Sequence, residues 1–182
     1  MRARIGLSAL RRPSVAVNDH HSHLTEEASS VTSATLGTLS TSYGGWPRLV
    51  SLFSGAGGLA QCSNTNQLRL HAGDMLMGTS FYSFFKGAAD AAAMRGAAID
   101  AMVLGNHEFD DGDATLANFI GNMTEGNMAP PAFLCANCVP GTTSPLVGKV
   151  THYATKTLSG EKVGIIGLGI KNKTMASSSP SQ

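Results

Sequence analysis

Hydrophobic positions in this chain fall into short runs, and several of the runs end in polar residues capable of chemistry. Ser14-Val15-Ala16-Val17 is a brief apolar stretch that leads into Asn18-Asp19-His20-His21-Ser22-His23. Gln67-Leu68-Arg69-Leu70-His71-Ala72 is strand-like and runs into Gly73-Asp74. Ile99 to Leu104 reads as a short buried strand and ends in Gly105-Asn106-His107-Glu108-Phe109-Asp110. Between these runs the period changes. Phe81 to Met94 has the spacing of one amphipathic helix, with Ala and Phe on the buried face. A second helix is predicted from about Asp113 to Asn122, with Leu116, Phe119 and Ile120 turned inward. Trp46 to Leu59 has helix-like spacing at Trp46, Leu49, Val50, Leu52 and Phe53, weakened by Gly55, Gly57 and Gly58. Ser29 to Ser42 is rich in Ser and Thr with little periodicity and reads as a loop. After Pro130-Pro131, Ala132 to Asn137 reads as a strand. Lys149 to Leu158 and Glu161 to Leu168 read as two strands joined by Ser159-Gly160 in a hairpin. Strand–helix alternation implies α/β packing, and the late hairpin implies a mixed sheet.

Three predicted strands thus deliver carboxylate, imidazole or amide groups at their ends, where open α/β sheets place their ligands. Asp19 and His21, two apart, then Asp74, then Asn106, form a donor set suited to a hard or borderline divalent ion. A Gly-Asp pair alone is common in turns. Asp-x-His, Gly-Asp and Gly-Asn-His-Glu in this order, each after a strand, is a far more specific pattern. A carboxylate on a central strand can bridge two ions, and ions about 3.5–4 Å apart are the usual device for displacement at phosphorus.

This order of motifs resembles the calcineurin-like metallophosphoesterases, and the fuller match is similar to their 5′-nucleotidase branch. The matching words are Asn18 to Leu24, Gly73-Asp74-Met75-Leu76-Met77-Gly78-Thr79, Gly105 to Asp110 and Ala136-Asn137. Gly44-Gly45-Trp46-Pro47-Arg48 and Val163-Gly164-Ile165-Ile166-Gly167 also fit. The resemblance implies an α/β fold with a mixed β-sheet core flanked by helices, here an incomplete four-layer αββα sandwich. It implies two divalent metal ions (Zn, Mn, Mg or Ca), with Asp19 and His21 on the first, Asp74 bridging and Asn106 on the second. It casts His107 as the group that stabilises the transferring phosphoryl, oriented by Asp110 in a His–Asp dyad. Glu108 matches a motif position without being a ligand, and His20 and His23 are not assigned to metal. The activity implied is hydrolysis of nucleoside monophosphates or related nucleotide phosphoesters by metal-activated water. The expected partner is a nucleotide or other phosphoester substrate.

One departure qualifies this. The family supplies further histidines from two later loops, the last reading close to Gly-His-x-His. After His107 this chain has only His152, in a strand-like context that reads as structural or exposed. The alternative reading is a catalytically incomplete fragment or pseudoenzyme with weak metal binding. The expected organisation is an N-terminal extension over 1–13, the N-terminal part of a catalytic domain over 14–176 and a frayed tail over 177–182.

Composition narrows the picture without changing it. At 182 residues and 42% hydrophobic, the chain has the size and apolar content of one domain with a core. A formal net charge of +1 gives no electrostatic case for a nucleic acid polymer. No run approaches the ~18 apolar residues of a membrane span. The Arg-rich, acid-free start resembles a transit peptide faintly and lacks the apolar region of a secretory signal, so the compartment stays open. Cys62 is isolated. Cys135 and Cys138 form a C-x-x-C that reads either as a redox pair or half zinc site, or as small residues packed in a strand end. The glycines of Val163 to Gly169 lack the third Gly and following helix of a dinucleotide loop.

Overall fold

The computed structural model describes residues 14–54, 67–126 and 129–170. The N-terminal extension, the stretch from Gly55 to Leu59, Cys62 and the tail lie outside the described residues. The centre of the fold is a four-stranded sheet of β1 (Ser14–Val17), β4 (Leu68–His71), β5 (Ala101–Val103) and β6 (Ala132–Leu134), in the order β1-β4-β5-β6. All three pairings are parallel, with Val17 opposite His71, His71 opposite Met102 and Val103 opposite Leu134. Parallel pairing in this register brings the carboxyl ends of all four strands to one edge. The polar segments that follow each strand therefore converge there.

Helices flank the sheet. α1 (Trp46–Phe53) starts with Pro47 in its first turn and buries Trp46 and Phe53, two turns apart on one face. The stretch predicted as one helix from Phe81 is two: α2 (Ser80–Phe85) and α3 (Ala88–Ala97). Thr79 caps α2 by accepting the Phe81 N–H. The chain then turns through Lys86 and Gly87, both left-handed, and a Cβ on Gly87 would press on Leu76 and Phe119 at 3.2–3.3 Å. α3 buries Met94 together with Ala91 and Ala97, and the two alanines admit close helix packing. α4 (Gly112–Asn122) buries Leu116, Phe119 and Ile120 at helical spacing, with Met123 just beyond. Met75, Leu76, Met102, Leu104 and Phe133 complete the core between sheet and helices.

Two antiparallel ribbons stand outside the sheet. Ser29 to Ser42, expected as a loop, belongs instead to a hairpin of β2 (Glu26–Ser33) and β3 (Gly37–Gly44). Its strands alternate Ser and Thr with residues such as Val31 and Leu39 that stay exposed, so no buried face produces a readable period. The late hairpin is β7 (Tyr153–Leu158) and β8 (Glu161–Ile166), joined by Ser159-Gly160 with positive φ at both residues, the geometry of a type I′ turn. It pairs with itself rather than with the sheet, so the described sheet is wholly parallel and the antiparallel component is separate. A single bridge from Leu134 to Thr151 uses the outer edge of β6 before the chain departs at His152, which is exposed. Lys156 ties the ribbon to the far end of the sheet through Asp100 Oδ1 at 2.5 Å and the Gln67 carbonyl at 2.9 Å. Among the described residues no helix is long and apolar enough to cross a membrane.

Candidate metal centre

Three loops meet at the carboxyl edge of the sheet, and their backbones are stitched together. From the loop after β1, the N–H groups of Asp19, His21 and Ser22 donate to the carbonyls of Gly73, Asp74 and Met75 at 3.0, 3.1 and 2.9 Å. Between the loops after β4 and β5 the contact is closer still. A Cβ on Gly73 would lie 2.7 Å from the Gly105 nitrogen, and one on Gly105 would lie 2.2 Å from Asp74 Oδ1. Only glycine permits that approach at either position. Asp19, His21, Ser22, Asp74 and Met77 all have positive φ, at 53°, 46°, 55°, 56° and 75°. Left-handed non-glycine residues are uncommon, although Asp and His adopt the region more readily than most, and such residues gather at functional sites.

The side chains follow from this frame. Ligand-type atoms of His21, Asp74 and His107 lie within 4.8 Å of one another, each residue partly buried. The rings of His21 and His107 sit edge to face, with centroids 5.0 Å apart. Asp74 Oδ1 accepts the His107 backbone N–H at 3.1 Å, which fixes one of its oxygens. Asp19 Oδ1 is 3.6 Å from His21 Nε2, while its Oδ2 accepts from the Asn18 amide. Asp19 therefore borders the His21–Asp74–His107 group rather than belonging to it. The Asn18 hydrogen bond, ahead of opposing burial and of His21, holds the Asp19 carboxyl below its ordinary value. Asn106 is buried at the foot of the same loop, between Gly105 and His107.

His107 to Phe109 form a single 3-10 turn, closed by Phe109 N–H to the Asn106 carbonyl and Asp110 N–H to the His107 carbonyl. Side chains three apart eclipse on such a turn. His107 Nδ1 accordingly meets Asp110 Oδ2 at 2.5 Å. Burial works against the charged ring, but the Asp110 bond and charge, with Asp74 and Glu108 behind them, raise the His107 pKa above its usual value. With Nδ1 engaged, Nε2 is the nitrogen left for a ligand. Glu108, on the same turn, is 2% exposed. It accepts from the N–H groups of Gly105, Asp74, Met75 and Leu76. Burial pushes its carboxyl up to about 7, against the backbone donors that favour its charge.

A second pair of histidines lies behind the metal candidates. His71, 1% exposed at the end of β4, accepts the Gly73 N–H at Nδ1 and approaches His20 Nδ1 through Nε2 at 3.0 Å. The Gly73 N–H can only donate, so a neutral His71 carries its proton on Nε2 and gives it to His20. Burial, reinforced by His20, pushes the His71 pKa down to about 3, and burial also lowers that of His20. His20 packs edge-on against Trp46, and His23 bonds Glu27 at 2.5 Å. The structure thus engages both with protein partners, and neither joins the group around Asp74. A cavity of about 550 Å³ opens beside Asp19, lined by His20, His23, Tyr43, Arg48, Leu49 and Leu52 among others. After β6, Cys135 and Cys138 are joined by a disulfide rather than packed as free thiols, and the Asn137 amide ties that loop to both backbone groups of Gly169.

Sequence reasoning named six residues for this site, and the fold places all six on the three loops. It missed the work of Glu108, His71 and the Gly73–Gly105 contact. The available signal was the pair of glycines, each the second residue after its strand.

The calcineurin-like phosphoesterase family matches residues 13–159, and the chain belongs to that family. Its relatives include a probable 5′-nucleotidase of Treponema pallidum, 38% identical over 167 residues, which cover 91% of this chain and 26% of that protein. An NAD 5′-nucleotidase of Haemophilus influenzae is 44% identical over 115 residues, covering 63% of this chain and 18% of its own. The solved structure of the H. influenzae NAD nucleotidase superposes with a TM-score of 0.79 at 32% identity, over 93% of this chain and 31% of that one. A 5′-nucleotidase precursor from Thermus thermophilus gives 0.72 at 34% identity, over 88% of this chain and 29% of that one. The chain spans about a quarter or less of the length of the curated relatives it matches.

Proposed function

We propose that this chain carries the metal-binding loops of a phosphoester hydrolase of the 5′-nucleotidase type. The observation behind the reading is the convergence of His21, Asp74 and His107 within 4.8 Å at the carboxyl edge of a parallel sheet. The donor set fits divalent ions: two carboxylates, a neutral imidazole and an amide oxygen are hard to borderline ligands. Asp19 and His21 would hold one ion, Asp74 would bridge, and Asn106 would serve the second. When bound, such ions polarise phosphoryl oxygens and acidify water. The remaining work falls to the chain's own groups. Asp110 holds the His107 Nδ1 proton and favours the imidazolium. His107 Nε2–H then donates to a phosphoryl oxygen as charge develops there. The likeness to 5′-nucleotidases favours nucleoside monophosphates or related nucleotide esters. The cavity beside Asp19 has the volume of small-molecule sites and could seat the leaving group.

A second reading draws on the place of Asp19 outside the tight group. There the chain binds one ion, through His21, Asp74 and His107, and turns over little by itself. Loading the chain with Mn²⁺, dialysing, and measuring bound metal and phosphate release from AMP separates the two. Two ions per chain with phosphate release is the expected result. One ion without release would favour the second reading, and no retained metal would defeat both.

A further inference from the structure

A carboxylate as buried as Glu108 is costly unless its oxygens are fully engaged. The partners here are backbone N–H groups from two different loops. Oε2 accepts from Gly105 at 2.6 Å and Asp74 at 2.9 Å; Oε1 accepts from Met75 at 2.7 Å and Leu76 at 3.3 Å. Each oxygen serves the loop after β4, and Oε2 also joins it to the loop after β5. The Asp74 backbone is in the left-handed region, at φ 56°, a conformation that residues with a side chain adopt uncommonly and that Asp reaches with local hydrogen bonds. Its side chain is then aimed by the His107 N–H on Oδ1.

We propose that Glu108 is a positioning residue. It holds the left-handed Asp74 backbone so that the Asp74 carboxylate faces His21 and His107, and it fixes the spacing between the two loops. The inference deepens the metal-site reading above and rests on it for its functional meaning. Both oxygens are required. Glutamine keeps the shape but turns an NH₂ toward backbone donors on one side. Aspartate keeps the charge but is one methylene too short to reach both loops.

The test pairs Mn²⁺ titration with amide hydrogen exchange on the wild-type chain and on Glu108→Gln. In the wild type, the amides of Asp74, Met75, Leu76 and Gly105 should be protected from exchange. Exchange at free-loop rates would overturn the proposal before any variant is made. In Glu108→Gln, those four amides should exchange at least tenfold faster while amides inside α4 keep their rates. Mn²⁺ affinity should fall about 10- to 100-fold, the usual cost of removing a group that orients a metal ligand. A merely structural role would speed exchange across α4 as well and leave Mn²⁺ affinity of the folded fraction unchanged, which would overturn the proposal. If the wild type binds no Mn²⁺ yet the four amides alone lose protection in the variant, the positioning role stands and the metal reading fails.

Discussion

The loops at the carboxyl edge of the sheet and the β2–β3 ribbon are both irregular in sequence and rich in polar residues, yet they are held in opposite ways. The site loops are locked by backbone-to-backbone bonds, by glycines in direct contact and by a buried carboxylate that gathers four N–H groups. The ribbon relies on its own ladder and on side-chain bonds at the surface, such as Thr32 to Thr38 and Tyr43 to Glu27, with Val31, Leu39 and Tyr43 exposed. Polar residues in the first region are fixed in place. In the second most are solvated, with Tyr43 at the edge of the cavity beside Asp19 and Arg48 of α1 bonded to Glu26 and Ser42. The rigidity sits where donors must be held within a few tenths of an ångström, as metal and phosphoryl chemistry requires.

Substitutions should divide along the same line. His107→Ala removes the phosphoryl-directed donor and should lower turnover on AMP about 10²- to 10³-fold, with a modest loss of metal. Unchanged turnover in steady-state assays would refute the role given to His107. Gly105→Ala places a methyl 2.2 Å from Asp74 Oδ1 and 2.7 Å from the Asp74 backbone nitrogen, and should cost about 3 kcal/mol in urea unfolding. A cost below about 0.5 kcal/mol would mean that the two loops separate easily and are held no more firmly than the ribbon.

The two buried or half-buried histidines offer a finer test, because their shifts have opposite signs. His71 has a folded pKa of about 3, below its unfolded value near 6.5. As pH falls from about 6.5 toward 3, the unfolded chain takes up a proton that the folded chain refuses. His71 therefore lowers stability on acidification, by at most about 1.4 kcal/mol per pH unit. His107 is raised, so its contribution is complete below its unfolded pKa and is lost as pH rises through the folded one. The urea midpoint should drop between pH 6.5 and 4, and His71→Asn should flatten that drop. Parallel pH profiles for the two proteins would show that His71 titrates normally. In the ribbon, Val31→Ser should change stability by less than about 0.5 kcal/mol, and a larger loss would mean that β2 packs on something essential.

How much of this was legible in the sequence follows the same division. β1, β4, β5 and α4 announce themselves because buried faces demand apolar residues at a fixed period. The β2–β3 ribbon does not, since both of its faces meet solvent along much of its length. The break at Lys86-Gly87 hides within an alanine-rich run whose composition suits a continuous helix. The placement of Asp19, His21, Asp74, Asn106, His107 and Asp110 on the loops after the strands is readable because each follows a strand in a recognisable word. Glu108 lies in the same word, but its role depends on N–H groups of a loop distant in sequence, and backbone donors leave no mark on residue identity. The place of Asp19 at the border of the group was likewise invisible, because it turns on the Asn18 bond and on the local backbone.

Asp74 is the residue on which a divalent-ion site in these loops depends most. Calorimetric titration of Mn²⁺ into the wild-type chain and into Asp74→Asn tests this dependence most directly. Saturable binding by the wild type, weakened at least tenfold in the variant while its circular dichroism is unchanged, is the result expected. Equal titrations for the two proteins would contradict it.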